Sequence, residues 1–184
     1  MDLPEISITV PTLAEVPIIC ELGAETYRET FVGMSYYTRE LIDGYTINAF
    51  AHDKIVSELA DPRARYFLLR CDGAPAGYAK VTERAPADCV ADLPNSIYLE
   101  RLYFLRAFQR RGLGTVLLEA SYKQARQRGA RWLWLSVWEF NEPARTFYRK
   151  RGFVQAGEWD WPYESGGKRY VDRDMIMKIA VPAS

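Results

Sequence analysis

The sequence predicts a mixed α/β fold: a sheet of about seven strands flanked by about four helices, with one parallel strand pair near its centre. Three observations carry this. Strand-length apolar runs recur along the chain, and two pairs of them are joined by hairpin signals, Asp72-Gly73 and Ser165-Gly166-Gly167. Runs with helical apolar spacing alternate with those strands. Residues 98–137 read strand–helix–strand, which closes as a right-handed parallel crossover. The 184 residues fit one domain, 1–184, and a hydrophobic share of 48% is enough for a sizeable core.

Taken in order, Ile6 to Val10 alternates between Pro4 and Pro11 and reads as a short strand. Thr12 is an N-cap for a helix from about Leu13 to Tyr27, with Val16, Ile19, Cys20 and Leu22 as apolar positions. Thr38 caps a second helical segment that runs to about Leu59, with Gly44 as the point where it would break. The chain's one histidine, His52, lies there beside Asp53 and reads as a surface or capping residue. Arg65–Cys71 and Pro75–Glu83 form the first hairpin. A loop with Pro86, Asp88, Cys89, Asp92, Pro94 and Asn95 follows.

The strand from Tyr98 to Leu105 puts Tyr98, Glu100, Leu102 and Phe104 on one face. After a short turn, Leu113, Val116, Leu117 and Ala120 recur at helical spacing, and Gly129 is the stop. Arg131–Val137 is apolar on both faces, as a covered central strand is. Asn141 or Glu142 caps a short helix with Pro143 in its first turn, and Gly152 ends it. A hairpin whose second strand spans Tyr170–Val181 closes the chain.

Composition excludes some functions. Lys+Arg and Asp+Glu both total 24, so the formal net charge is zero and a general nucleic-acid or membrane-surface binder is not expected. The three cysteines are widely spaced and show no metal-ligand pattern, so no metal is expected. They fit a reduced, cytoplasmic compartment. The opening Met-Asp-Leu-Pro-Glu has neither the basic nor the apolar run of a signal peptide, and no run approaches the roughly 18 apolar residues of a membrane span.

One element points to chemistry. The strand ending at Phe104 feeds Gln109-Arg110-Arg111-Gly112-Leu113-Gly114-Thr115, and a helix opens there. The first N–H groups of a helix lack partners and its dipole favours negative charge, so this turn is an anion site. Gly112 and Gly114 let backbone approach a phosphate. No Lys-Ser/Thr pair follows, which disfavours a P-loop nucleotide binder.

Gln109 to Gly114 matches the Q/R-x-x-G-x-G/A signature of the GNAT-type N-acetyltransferases. Leu102-Tyr103-Phe104 precedes it, Asn141 follows the next strand, and N-x-x-A-x-x-F-Y-x-x-x-G-F spans Asn141 to Phe153. The chain therefore resembles that family over residues 98–153. Short segments around Glu25–Phe31, Ala76–Val81, Leu99–Tyr103 and Val137–Glu139 resemble the bacterial PaiA-type spermidine/spermine N-acetyltransferases. The resemblance implies a mostly antiparallel, twisted sheet and acetyl-CoA as cosubstrate. It implies that backbone N–H groups from Arg110 to Thr115 hold the pyrophosphate, with Gln109 opening the turn. It also implies that the Leu102–Phe104 edge pairs with the pantetheine amides, that Asn141 meets the CoA arm, and that Tyr148 is the general acid.

The reaction implied is direct attack of a primary amine on a thioester, with a polyamine as acceptor. An alkylammonium with a pKa of about 10.4 must first lose a proton. Glu100 is the candidate base; binding the cationic substrate and a structural ion pair are its other readings. For a cationic acceptor, carboxylates and aromatics are needed: Glu25, Glu29, Trp138 and Glu139 are candidates, with Trp159 to Trp161 and Tyr163 as further supply. Glu25 and Glu29 equally fit a solvated helix end. Acceptors of another kind, a peptide amine or an aminoglycoside-like compound, and a non-catalytic CoA-binding sensor remain open. The terminal hairpin and strand edges are compatible with a homodimer.

Overall fold

A computed structural model describes residues 4–34, 37–84, 87–165 and 168–182. The strands are β1 (Ile6–Thr9), β2 (Ala64–Cys71), β3 (Ala74–Thr82), β4 (Ser96–Phe104), β5 (Trp132–Trp138), β6 (Val154–Ser165) and β7 (Lys168–Ala180). The helices are α1 (Val16–Phe31), α2 (Arg39–Ala49), α3 (His52–Ala60), α4 (Leu113–Gln127) and α5 (Glu142–Arg149). The strands form one seven-stranded sheet in the order β1-β2-β3-β4-β5-β7-β6. The pair β4–β5 is parallel, whereas β1–β2, β5–β7 and β6–β7 are antiparallel. This is the mixed, mostly antiparallel sheet that the sequence predicts. No helix among the described residues is long and apolar enough to cross a membrane.

The chain packs as two compact units, residues 1–81 with 101–121 and residues 82–100 with 122–184, so β4 and α4 each pass from one to the other. In the first unit, Val16, Ile19, Leu22, Gly23, Thr26, Tyr27 and Phe31 form the buried face of α1. Ahead of α1, the Thr12 N–H donates to Glu15 Oε2 at 2.8 Å, and Arg70 on β2 reaches Glu15 Oε1 at 2.5 Å. Thr12 therefore does cap, but what it caps is a single 3₁₀ turn, Leu13–Glu15, that leads into the α-helix. Asp72 and Gly73 both have positive φ, 50° and 78°, as a two-residue hairpin turn requires.

Two expectations need correction. The 38–59 segment does not break at Gly44, which lies inside α2 with nothing within 4 Å of where a Cβ would be. The break falls at Phe50 and Ala51. Phe50 is buried, and its ring occupies the space above Gly23 that a side chain there would take. The α2–α3 break falls where Phe50 is buried, and the described residues hold five α-helices. On α4 the buried positions are Leu113, Leu117, Leu118, Ser121, Tyr122, Gln124 and Ala125, whereas Val116 is exposed. The apolar face is rotated by about one residue from the one that periodicity gives.

In the second unit, Val90, Leu93, Tyr98, Trp134 and Ile176 form a core cluster that Cys89, Trp132, Ala156 and Trp159 join from its edge. Leu133, Leu135, Met175 and Met177 are buried as well. The predicted loop before β4 contains a 3₁₀ turn, Asp88–Val90, whose Val90 supplies that core. Of the predicted turn residues, Pro86, Gly166 and Gly167 lie outside the described residues.

Glu15 yields a stability prediction. Its carboxyl is held below the usual carboxylate range, first by the Thr12 backbone N–H and then by Arg70. A depressed folded-state pKa gives stability that is present above the unfolded value and is lost as pH falls through the folded one. Glu15→Gln should cost about 1 kcal/mol at pH 7. The gap from wild type should close as pH falls below about 4. Urea unfolding at several pH values reads this, and a pH-independent gap would show that the charge is not the cause.

Candidate active site

The first unit supplies a turn and a strand end. Leu105 N–H donates to the Ala76 carbonyl at 3.0 Å, and the Gln109 amide donates to the Phe104 carbonyl at 3.2 Å. The Phe104 ring lies where a Cβ on Gly77 would stand, 2.3 Å from that position. Between strand and helix, Arg106–Phe108 makes a 3₁₀ turn. Its entry is fixed by Glu29, which accepts from the Arg106 N–H at 2.6 Å while Arg106 Nη2 donates to the Glu29 carbonyl at 2.8 Å. Arg110 and Gly112 then adopt positive φ, 61° and 78°. Alternating backbone hands of this kind turn successive N–H groups toward one point. They lead into Leu113, the first residue of α4, a 15-residue helix. Gln109, Arg110, Arg111, Gly112 and Thr115 are exposed, Gly114 is half-buried and Leu113 is buried. The Arg111 guanidinium lies 5.5 Å over the Phe108 ring. Geometry and charge fit a phosphate.

Leu102, Tyr103 and Phe104 are half-buried. The parallel ladder between β4 and β5 has three pairs, Ser96↔Trp132, Ile97↔Leu133 and Tyr98↔Trp134. Tyr103 stacks on Tyr78 with 6.1 Å between centroids. Glu25 is an exposed residue 3.8 Å from Arg28, which also reaches Asp43 at 3.3 Å. The neighbouring aromatics pack with one another: Tyr27 against Phe31 at 4.4 Å and against Tyr45 at 4.2 Å. At this helix end Glu25 is solvated beside packed aromatics, whereas Glu29 is committed to the Arg106 turn.

Elsewhere in this unit a buried charged network holds α3 to the sheet. Glu58 accepts from Lys80 at 2.9 Å, from Arg101 at 3.2 Å and from the Tyr66 hydroxyl. Burial pushes the Tyr66 phenol far above its ordinary value. The alternating pattern of β4 thus hides Arg101 in the core of the first unit, while Glu100 belongs to the second.

In the second unit Glu100 is half-buried and accepts from the Thr82 hydroxyl at 2.8 Å. Two residues earlier the Tyr98 hydroxyl meets Ser136 Oγ at 2.9 Å, and burial pushes that phenol up to about 12. On β7, Asp174 accepts from Trp161 Nε1 at 3.3 Å, and Asp172 accepts from Trp138 Nε1 at 3.2 Å. Burial raises the Asp174 carboxyl above its ordinary value, Asp172 adds to the rise, and hydrogen bonds from Ser136 and Trp161 oppose it. Trp138 is buried; the carbonyl of the half-buried Glu139 accepts from Arg145 at 2.6 Å.

Asn141 Oδ1 accepts from the Ala144 N–H at 3.3 Å, so the predicted cap of α5 is present. Tyr148 sits on the inner side of that helix, 8% exposed, edge-on to Phe147 and Phe153. Burial holds its phenol well above the ordinary value, and Tyr98 and Tyr122 add to this. The side chain of Tyr163 lies outside the described residues. Sequence reading missed Thr82, Ser136, Asp172 and Asp174. The only signal for the last two is the alternation Asp172-Arg173-Asp174 in the closing strand.

A parallel strand–helix crossover inside a mixed seven-stranded sheet, with a turn at its strand end that fits a phosphate, suits a transferase fold that takes an anionic cosubstrate. A model of the acetyltransferase (GNAT) family matches residues 26–153, and the chain belongs to that family. An uncharacterized N-acetyltransferase from the pepI 3′ region of Lactobacillus delbrueckii subsp. lactis is 33% identical over 144 residues, 78% of this chain and 82% of the relative. A streptothricin acetyltransferase of Streptomyces lavendulae is 32% identical over 105 residues, 57% of this chain and 51% of that one. In fold the chain is similar to PaiA N-acetyltransferase from Thermoplasma acidophilum in complex with coenzyme A, with a TM-score of 0.77, 20% identity, and 96% and 99% of the two chains covered. The protein is an N-acetyltransferase with acetyl-CoA as its cosubstrate.

Gly77 gives the prediction here. A Cβ would stand 2.6 Å from the Tyr103 carbonyl oxygen as well as against Phe104, and a backbone atom cannot swing aside. Gly77→Ala should destabilise the fold by about 1–3 kcal/mol. A urea midpoint equal to that of the wild type would mean that Phe104 does not lie on β3 in this way.

Proposed function

We propose that this protein transfers the acetyl group of acetyl-CoA to a primary amine of a polyamine such as spermidine or spermine, by direct attack. The observation that carries the polyamine reading is the second unit's face of carboxylates and indoles, where Glu100, Asp172 and Asp174 accompany Trp138 and Trp161. Carboxylates and aromatic faces are what a polycation recognises. The PaiA N-acetyltransferase from Thermoplasma acidophilum, which binds coenzyme A, shares the fold.

In this reading the N–H groups from Arg110 to Thr115 hold the pyrophosphate, with Gln109, Arg110 and Arg111 around the turn. The Leu102–Phe104 edge takes the pantetheine amides, and Asn141 meets the arm. Acetyl-CoA supplies an electrophilic thioester carbonyl. Glu100 takes a proton from the substrate ammonium at one carboxylate oxygen, directly or through water, while Thr82 steadies the other lone pairs. The free amine bonds to the thioester carbonyl carbon, and the C–S bond breaks as the carbonyl re-forms; Tyr148 gives its hydroxyl proton to the departing sulfur, and the second proton lost by the nitrogen restores the phenol. Its raised pKa keeps that proton in place at neutral pH. A second reading, an antibiotic acceptor, is favoured by the streptothricin acetyltransferase among the relatives.

Assays with acetyl-CoA and a panel of spermidine, spermine, streptothricin, peptide amines and monoamines test the reading. Turnover of a peptide or streptothricin without turnover of either polyamine would overturn it. Tyr148→Phe should lower kcat by about 10²-fold or more with the acetyl-CoA KM nearly unchanged. Glu100→Gln should lower kcat/KM by about 10²–10⁴-fold and flatten the fall in rate toward low pH. Activity of both variants at wild-type level would remove these residues from the chemistry.

A further inference from the structure

We propose that Asp174, together with the exposed ring of Trp161, is the specificity determinant that holds a second positive centre of the acceptor amine. The inference rests on the transferase reading above and adds to it the residues that select a polycation.

Asp174 faces Trp138 across the β5–β7 ladder and Trp159 across the β6–β7 ladder. Its carboxylate is half-buried and is bonded by Trp161 and Ser136. Among the described residues no Lys, Arg or His pairs with it. Arg173, its neighbour in sequence, is bound to Asp160 at 2.8 Å and to Glu158 at 3.3 Å. Arg84 lies over the Tyr98 and Trp159 rings, at 5.6 and 5.2 Å. Asp172 adds a like charge two residues away. The half-buried carboxylates Glu15 and Glu58 each meet a cation, at 2.5 and 2.9 Å. A desolvated carboxylate without one is unfavourable, and a bound cation relieves it.

Trp161 indicates which cation. It is 43% exposed, yet it is held from two sides, by stacking on Trp159 at 4.6 Å and by its N–H bond to Asp174. A fixed indole face beside a carboxylate suits an alkylammonium. A hard metal ion takes 6–8 oxygens, which indoles cannot supply. The Tyr98–Ser136–Asp174 line of hydrogen bonds starts two residues before Glu100 on β4. The site for a second charge is thus built on the same sheet face as the candidate base, which favours an acceptor with two ammonium groups over one with a single group.

The test compares 1,4-diaminobutane and spermidine with n-butylamine as acceptors, in wild type, Asp174→Asn, Asp174→Glu and Trp161→Ala. Asp174→Asn should lower the ratio of kcat/KM for spermidine to kcat/KM for n-butylamine about tenfold to a hundredfold, through a raised KM for the two polyamines. Asp174→Glu should restore part of the preference, and Trp161→Ala should lower it. Thermal melting should show the Asn variant at least as stable as wild type, because the folded protein disfavours charge at this position. Equal losses for all three amines, or no change for any, would overturn the proposal. If the wild type acetylates none of them, the polyamine reading falls while the anchor is still decided by titration calorimetry of spermidine into the CoA-bound protein. Weaker binding in Asp174→Asn than in wild type sustains it; equal or absent binding overturns it.

Discussion

Three parallel pairs between β4 and β5, from Ser96↔Trp132 to Tyr98↔Trp134, carry the arrangement on which the site depends. Parallel strands cannot be joined by a tight hairpin, so the chain must leave the carboxyl end of β4 and return by a helix. That helix, α4, then has to begin just beyond Phe104, with its unpartnered N–H groups and the positive end of its dipole there. The helix start, whose geometry fits an anion, is therefore a consequence of the pairing rather than an addition to it. The same rule acts once more after β5, whose carboxyl end leads through the Asn141 cap into α5 and so to Tyr148. The antiparallel ladders need no crossover and generate no such helix start; they supply breadth and the faces on which charges are displayed.

β4 also sorts its charges by alternation. Arg101 goes into a buried network with Glu58, Lys80 and Tyr66, where two cations and a phenol share one carboxylate. Removing Glu58 would take away a carboxylate that both buried cations meet, so this network has a structural role. Glu100, one residue earlier, is half-buried and bonded to a hydroxyl. Adjacent residues of opposite charge thus have different tasks only because a strand shows successive side chains to opposite sides.

This explains which parts of the molecule could be read from the sequence. The crossover was legible because its signals are local: Gly112 and Gly129 at positive φ, an apolar strand on either side, and the Asn141 cap four residues before Arg145. The place of Tyr148 at the end of Asn141-x-x-Ala144-x-x-Phe147-Tyr148 is local in the same way. The break between α2 and α3 was not, because it depends on the Phe50 ring entering the gap over Gly23, 27 positions away in the chain. Ser136, Asp172 and Asp174 were not legible for a similar reason. They meet through the β5–β7 register, Ser136↔Ile176 and Trp138↔Asp174, and no local pattern encodes a register between strands so far apart in sequence.

The closing hairpin shows how a chain of zero net formal charge can still carry a locally acidic strand face. In Asp172-Arg173-Asp174 the charges alternate with the period of the strand. Arg173 falls on one face, where Glu158 and Asp160 of β6 neutralise it. Asp172 and Asp174 fall on the other, where Trp138 and Trp161 bond them through indole N–H groups that add no charge. Composition averages these two faces to nothing, whereas a ligand meets only one of them. At distances shorter than the Debye length of about 8 Å, the local arrangement and not the net charge decides what binds.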